Sequence, residues 1–279
     1  MRFNSDQIQK IGKEISSKVD GKTLFDEFSR GRYSTDASVY QIKPLGVVLP
    51  KDTNDVLSLM EYSQKNSVPL LARGGGSSQC GQTVGESVVL DYSKHQNKIL
   101  ELNVEEKYVW VQPGVVLDHL NAYLKPHGLW FPVDVSTSSR ATIGGMSANN
   151  SCGSRSLYYG NMVHNVLAIE AILDDGSIFN FDQINKNYLA TKNNQDRLYK
   201  IIDKFIDVRQ KVGSEIDANW PTTQRRVGGY NIDLIDPEGF NSSNLLVGSE
   251  GTLSLFNKIK LKLSEIPKNK ILGVCYFDN

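Results

Sequence analysis

A mixed helix-and-strand fold is predicted for this chain of 279 residues by the order of its periodic segments, among which two stretches of small residues stand out. Apolar runs alternate with helical spacing as far as Ala72, strand signals then dominate, and a helical pattern returns at Leu198. The small-residue stretches are Arg73-Gly74-Gly75-Gly76-Ser77-Ser78-Gln79-Cys80-Gly81-Gln82 and Ala141-Thr142-Ile143-Gly144-Gly145-Met146-Ser147-Ala148-Asn149-Asn150-Ser151-Cys152-Gly153.

Ile8, Ile11, Ile15 and Val19 recur at three- and four-residue spacings, which predicts an amphipathic helix from Ser5 to Val19. Val47-Val48-Leu49 reads as a strand ended by Pro50. Asp52 or Thr53 then caps a helix that turns Val56, Leu57, Leu59 and Met60 to a core. Leu70-Leu71-Ala72 is the next strand and delivers the glycine stretch. Strands follow at Val88-Val89-Leu90, Ile99 to Leu102 and Tyr108 to Val111, and a helix runs from Val116 to Leu124, stopped near Pro126 and Gly128. Ala168 to Leu173 and Ile178 to Phe181 form a hairpin about Asp174-Asp175-Gly176-Ser177. Leu198, Ile201, Ile202, Phe205 and Val208 share a helix, and Leu253 to Leu263 is strand-like. Ser264 to Lys268 reads as a linker, and Ile271 to Phe277 as a strand. A lone strand makes no domain, so the chain is expected to be the front portion of something longer.

Lys plus Arg and Asp plus Glu are equal at 31 each, which offers no electrostatic reason for a nucleic-acid or anionic-membrane partner. No apolar run is long enough for a transmembrane segment, and the polar start has no signal-peptide core, so a cytoplasmic protein is expected. Cys80, Cys152 and Cys275 form no Cys-x-x-Cys pair. His95, His119, His127 and His164 form no metal-binding pattern, so they read as surface or packing residues and no metal is expected.

Three consecutive glycines leave backbone N–H groups open to whatever lies against them and reach φ > 0 freely. A diphosphate fits such a surface, with Arg73, Ser77 and Ser78 supplying charge and hydrogen bonds, although a glycine cluster alone fits a tight turn equally well. Two small-residue stretches suggest one long ligand held at two places. Neither a strand leading into a Gly-x-Gly-x-x-Gly helix start nor a Gly-Lys-Ser/Thr is present, which argues against Rossmann and P-loop readings.

Arg73 to Ser78, Phe131-Pro132-Val133-Asp134, Ala141 to Met146, Asn150 to Arg155, Tyr159-Gly160, Asp175-Gly176, Gly229-Tyr230-Asn231 and Gly248-Ser249-Glu250-Gly251-Thr252 occur in order. The set resembles the FAD-binding domain of the vanillyl-alcohol-oxidase/p-cresol-methylhydroxylase (PCMH) type. That domain is found in FAD-linked oxidases and dehydrogenases of 2-hydroxy acids, such as the glycolate oxidase FAD subunit, D-lactate dehydrogenase and D-2-hydroxyglutarate dehydrogenase. Gly31 to Ser38 is further similar to the start of the large bacterial members that join FAD and iron–sulfur modules.

The resemblance implies a two-subdomain α+β fold of the PCMH type with FAD between the halves. The expected division is a helical lead-in over 1–42, an FAD-binding domain over 43–264 with subdomains 43–103 and 104–264, and a linker plus the first strand of a cap domain over 265–279. Cofactor contacts are expected at Arg73, Gly74, Gly75, Gly76, Ser77, Ser78, Gln79, Gly81 and Gln82, and at Pro132. Further contacts are expected at Ile143, Gly144, Gly145, Ala148, Asn149, Asn150, Ser151 and Gly153 in a second loop, and at Gly160, Ile169 and Glu250, with Ile169 approaching the adenine through its backbone. Covalently flavinylated relatives have a histidine where this chain has Ser77, so FAD is expected to be non-covalent, and Cys152 is a packed loop residue rather than a substitute attachment point. Glu250 reads as ordering its loop by accepting backbone hydrogen bonds rather than as a general base. Asp134 reads equally as a catalytic carboxylate or as a turn residue after Pro132, the Arg225-Arg226 pair by default as a solvated face rather than an anion site, and Tyr158 and Tyr159 as packing on cofactor or core.

The function implied is hydride transfer from a 2-hydroxy acid to flavin N5, with the substrate-binding cap outside this chain and no catalytic residue assigned within it. An iron–sulfur or other electron-transfer partner, and peripheral contact with the inner membrane through it, are consistent with this. The alternatives are a non-catalytic flavin-holding module of a larger complex and a flavoenzyme of the UDP-N-acetylenolpyruvoylglucosamine reductase type.

Overall fold

A computed structural model describes residues 3–185, 196–269 and 271–277. Helix α1 (Ser5–Ser16) opens on a reciprocal cap, in which the Asn4 side chain accepts from the Gln7 amide and the Gln7 side chain from the Asn4 amide. Its buried stripe is Ile8, Ile11 and Ile15, the spacing read from the sequence. Strand β1 (Lys22–Leu24) and helix α2 (Glu27–Arg32) follow. Strand β2 (Gly46–Leu49), helix α3 (Thr53–Asn66), strand β3 (Leu70–Arg73) and strand β4 (Val88–Asp91) complete the first half. The four strands form one sheet in the order β1-β2-β4-β3, parallel except for β1. Strand β4 is buried along its whole length, which is why it reads as an unbroken apolar run rather than an alternation.

Asp52 caps α3 by accepting from the Asn54 amide at 2.8 Å. Asp55, in the first turn, is buried and accepts from three backbone amides, Asp20 at 2.7 Å, Gly21 at 2.9 Å and Lys51 at 2.7 Å. Its carboxylate ties the β1 approach to the end of β2. Asp55→Ala is expected to cost about 2–4 kcal/mol by leaving those donors unpaired, measured by urea denaturation; a loss within experimental error would remove Asp55 from this role.

Strands β5 (Ile99–Asn103) and β6 (Tyr108–Val111), helix α4 (Leu117–Leu124) and strand β7 (Leu129–Trp130) begin the second half. Helices α5 (Ile143–Asn149), α6 (Ser156–Tyr159) and α7 (Met162–Asn165) lead into strand β8 (Val166–Ile172), then β9 (Ile178–Phe181) and β10 (Gln183–Asn185). Helix α8 (Arg197–Asn219) and strands β11 (Gly239–Asn241), β12 (Leu255–Lys262) and β13 (Ser264–Glu265) follow. An antiparallel sheet runs β5-β6-β12-β8-β9, with β12 paired to both β6 and β8. Each half has its own apolar core, and Ile172 and Leu255 of the second sheet pack into the core of the first.

Strand β5 pairs with β6, so the two sheets divide between Asp91 and Ile99. Two expectations are corrected. The second small-residue stretch is helix α5 followed by a turn, not a loop throughout. Its helical part is held by a Thr142 cap and ended by Asn150 in the left-handed conformation, φ 53°. Residues Ile271 to Phe277 form no strand, because among the described residues no ladder partner meets them, and Ile271 and Tyr276 are 98% and 93% exposed.

Candidate functional site

Strand β3 hands the chain to the glycine loop at the edge of the first sheet. The amides of Gly75, Gly76, Ser77 and Ser78 donate no hydrogen bond among the described residues, so four consecutive donors are left for a ligand. The loop also lies where side chains cannot follow. A Cβ on Gly74 would sit 2.0 Å from Thr142 Oγ1, and one on Gly75 would sit 2.3 Å from the Arg140 carbonyl oxygen. The two halves therefore touch through bare backbone at this point.

Opposite stands α5. Thr142 caps it by accepting from the Gly145 amide at 3.3 Å, and the Ile143 and Gly144 amides donate to the Val115 and Pro113 carbonyls, each at 2.8 Å. Gly144 is required by the close approach of Pro113, whose Cβ would lie 2.5 Å from an added Cβ. The far end of α5 is held by residues 248–250: the Gly248 amide donates to Ser147 O and the Glu250 amide to Ala148 O, each at 3.0 Å. Glu250 adopts φ 51°, and its Oε1 accepts from Gln82 Nε2 at 2.9 Å and from Asn149 Nδ2 at 3.3 Å. The expectation that its side chain orders the loop through backbone amides is corrected: its partners are two side-chain amides, one from each half of the molecule, and it works as a clasp between them.

Between these elements lies a cavity of about 390 Å³, within the usual size range of small-molecule sites. Of the predicted residues, Arg73, Gly74, Gly75, Gly76, Ser77, Ser78, Gln79, Gln82, Gly144, Gly145, Ala148, Asn149, Ser151 and Glu250 line it. Gly81, Pro132, Ile143, Asn150, Gly153, Gly160 and Ile169 do not. Gly81 instead leaves room for the Tyr40 ring, and Gly153 leaves room for the Asp134 carbonyl. Asn150 is fully buried, its Oδ1 accepting from the Val163 amide at 3.0 Å. Ile143 and Ile169 are core residues; Ile169 is paired on both sides, to Ile259 and to Phe181, and lies inside the sheet rather than at the cavity.

The sequence reading missed Leu70, Tyr92, Pro113, Met146, Leu255 and Phe256, which give one part of the cavity an apolar wall, and Val135 to Thr137. Nothing local marks these positions: apart from Met146, which lies within α5, they come from strand ends and turns that meet only in the folded chain. Thr142 carried a readable signal as a hydroxyl residue directly before a helix start.

Arg73 borders the cavity, but much of its guanidinium is spent elsewhere. Nη1 donates to Thr83 O at 3.1 Å and Tyr33 O at 3.4 Å, and Nη2 to Thr35 O at 2.8 Å. Asp134 accepts from Ser154 Oγ at 2.9 Å and from the Arg155 amide at 3.0 Å, fixing the turn after α5. Of the Arg225-Arg226 pair, Arg225 is exposed, as read from the sequence, and donates to Gly153 O at 3.1 Å, whereas Arg226 is partly buried and pairs with Asp233 at 2.7 Å beside the Trp220 ring. Tyr159 packs edge-on against Trp130, while Tyr158 is 85% exposed. Cys80 and Cys152 both border the cavity as free thiols. Among the described residues no cluster of potential metal ligands and no helix able to cross a membrane is found.

The mixed fold of two joined halves around a cavity is that of the PCMH-type proteins. Residues 44–182 match the FAD binding domain family, and the cofactor of that domain is FAD. The chain is similar to D-2-hydroxyglutarate dehydrogenase of Haemophilus influenzae, 35% identical over 252 residues, which cover 86% of this chain and 24% of that protein. It is also similar to glycolate oxidase subunit GlcD of Bacillus subtilis, 30% identical over 277 residues covering 98% of this chain and 48% of the relative. The chain thus spans about a quarter to a half of the length of these relatives. A solved alkyldihydroxyacetonephosphate synthase shares the fold, with a TM-score of 0.66 and 18% identity over 94% of this chain and 41% of that one.

Proposed function

We propose that this chain is the FAD-holding part of an oxidoreductase that oxidises a 2-hydroxy acid of the D-lactate, glycolate or D-2-hydroxyglutarate class. The observation that carries the reading is the row of four amides from Gly75 to Ser78 that donate no hydrogen bond among the described residues, in a loop that lines, together with α5, a cavity large enough to enclose part of a dinucleotide. Those amides, with the Ser77 and Ser78 hydroxyls, hold the diphosphate. The wall formed by Leu70, Pro113, Leu255 and Phe256 excludes water from one aromatic end of the ligand, and the Gln82–Glu250–Asn149 clasp keeps the two halves closed over it. When bound, FAD supplies the acceptor for the hydride leaving C2 of the hydroxy acid.

No residue of this chain is assigned to proton transfer. Glu250 is the carboxylate at the cavity, and its Oε1 already accepts two hydrogen bonds. Groups that bind and deprotonate the substrate are assigned to the part of the relatives' length that this chain does not span, and electrons pass on to a separate acceptor. A cytoplasmic location accompanies this reading. Ser77 offers no side chain of the kind that attaches flavin, so the cofactor dissociates.

An absorbance spectrum of the purified chain with added FAD, taken before and after acid precipitation, tests the reading. The expected result is the two visible bands of oxidised flavin, with all of the colour in the acid supernatant. Flavin left in the pellet would overturn non-covalent attachment, and no uptake would overturn the FAD reading itself.

A further inference from the structure

The segment Tyr33–Ile42 precedes the residues matched by the FAD binding domain family, yet it is fastened to the glycine loop. It folds back on itself, with Thr35 bridged to Gln41 and the Ile42 amide donating to Ser34 O at 2.8 Å. From this strap the Ala37 amide donates to Gly76 O at 3.2 Å, and Asp36 Oδ2 accepts from Thr83 Oγ1 at 2.9 Å. The Tyr40 ring lies against Gly81, where an added Cβ would come within 2.5 Å of it. Arg73 ties from the opposite direction through its bonds to Tyr33 O, Thr35 O and Thr83 O. Its guanidinium fits under Gly76 because that residue has φ 62° and no side chain; a Cβ there would be 2.5 Å from Nη2. The Tyr33 ring stacks on Arg73 at 5.3 Å, and its hydroxyl donates to Asp91 Oδ2 at 2.6 Å.

These bonds leave the Gly75 to Ser78 amides free while fixing the backbone on either side of them. A loop of three glycines has many conformations, and holding it in one before the ligand arrives removes an ordering cost from binding. We propose that the Tyr33–Ile42 strap preorganises the diphosphate cradle, and that Arg73 serves the site by locking strap to loop rather than by contacting phosphate. Arg73 is thereby a positioning residue, and Asp36 is its counterpart on the strap. The proposal rests on the FAD reading above and deepens it.

A double-mutant cycle on FAD and ADP affinity tests it, with Arg73→Gln, Asp36→Ala and the double variant compared with the unmodified chain. Each single change is expected to weaken both ligands about tenfold, the size of one charged hydrogen bond. The double variant is expected to be little worse than either, because both changes release the same strap. Asp36→Asn keeps one oxygen to accept from the Ser38 amide and places an Nδ2 that can donate to the Thr83 hydroxyl, reversing that bond, and is expected to restore near-normal affinity. The salt dependence of FAD binding is expected to be the same in Arg73→Gln as in the unmodified chain, since no phosphate contact is lost. Fully additive losses with a flattened salt dependence in Arg73→Gln would place the guanidinium on the phosphate and overturn the proposal. Unchanged FAD affinity in Asp36→Ala would also overturn it. Failure of the unmodified chain to take up FAD would instead overturn the functional reading, and the strap's role with it.

Discussion

Gly75→Ala is expected to weaken FAD binding by about 100-fold or more, equal to roughly 2.7 kcal/mol. The added methyl would lie 2.3 Å from the Arg140 carbonyl oxygen and 3.0 Å from its carbon. Both are backbone atoms. Arg140 is itself held by turn bonds, its amide donating to Thr137 O at 2.8 Å, so it cannot swing aside as a side-chain tip could. The two halves must separate or the glycine loop must move, and either displaces the amides that face the cavity; overpacking of this kind typically costs about 1–3 kcal/mol before any loss of ligand contacts. Fluorescence titration with FAD measures the effect. Gly85→Ala is the control, because its Cβ would meet only the Leu71 and Ser87 side chains at ordinary distances of 3.6 and 3.7 Å. Equal affinity in the two variants would show that the close approach at Gly75 does not shape the site.

The largest loss of stability away from the glycine loop is expected at Asn150. This residue is fully buried and ends α5 in the left-handed conformation, which asparagine tolerates better than alanine does. Its Oδ1 accepts from the Val163 amide at 3.0 Å, and its Nδ2 donates to Asn231 Oδ1 at 3.5 Å. Asn231, also buried, passes the connection on through Nδ2 to Val247 O at 2.7 Å and Asn244 O at 3.2 Å. Asn150→Ala strands one amide and one carbonyl oxygen and adds backbone strain, for a total of about 3–5 kcal/mol. That is a large share of the roughly 5–15 kcal/mol that holds a typical domain together. Asn150→Gly removes the same bonds without the strain and is expected to be less damaging by about 1 kcal/mol. Urea denaturation of the two variants separates the contributions, and a loss below about 1 kcal/mol for Asn150→Ala would show that the network contributes little.

Local pattern was enough wherever one segment carried its own instruction. The three- and four-residue spacing of Ile8, Ile11 and Ile15 marked α1, Asp52 marked the start of α3, and the apolar run at Val88 marked a strand buried along its length. The strand signal at Ile271 to Phe277 met no partner among the described residues, because a strand is a relation between segments and its composition states only half of it. For the same reason β5 belongs to the second sheet, where β6 pairs with it.

By itself the sequence determined the composition of the cradle: glycines at 74–76, hydroxyls at 77 and 78, a serine where an attachment histidine would stand, and small residues at 143–153. Only the tertiary structure decided which of them face the ligand space. It turned Ile143, Asn150 and Ile169 into the core, brought Tyr92, Pro113 and Phe256 to the cavity wall from distant strands and turns, and joined Gln82 to Glu250 across the halves. It also sent Arg73, the most phosphate-like partner in the motif, to the carbonyls of Tyr33, Thr35 and Thr83. The physical reason is that residue type sets what a group can bond to, whereas the competing partners within reach are set by chain segments far away in sequence. A half-buried guanidinium goes to the acceptors that the fold places around it.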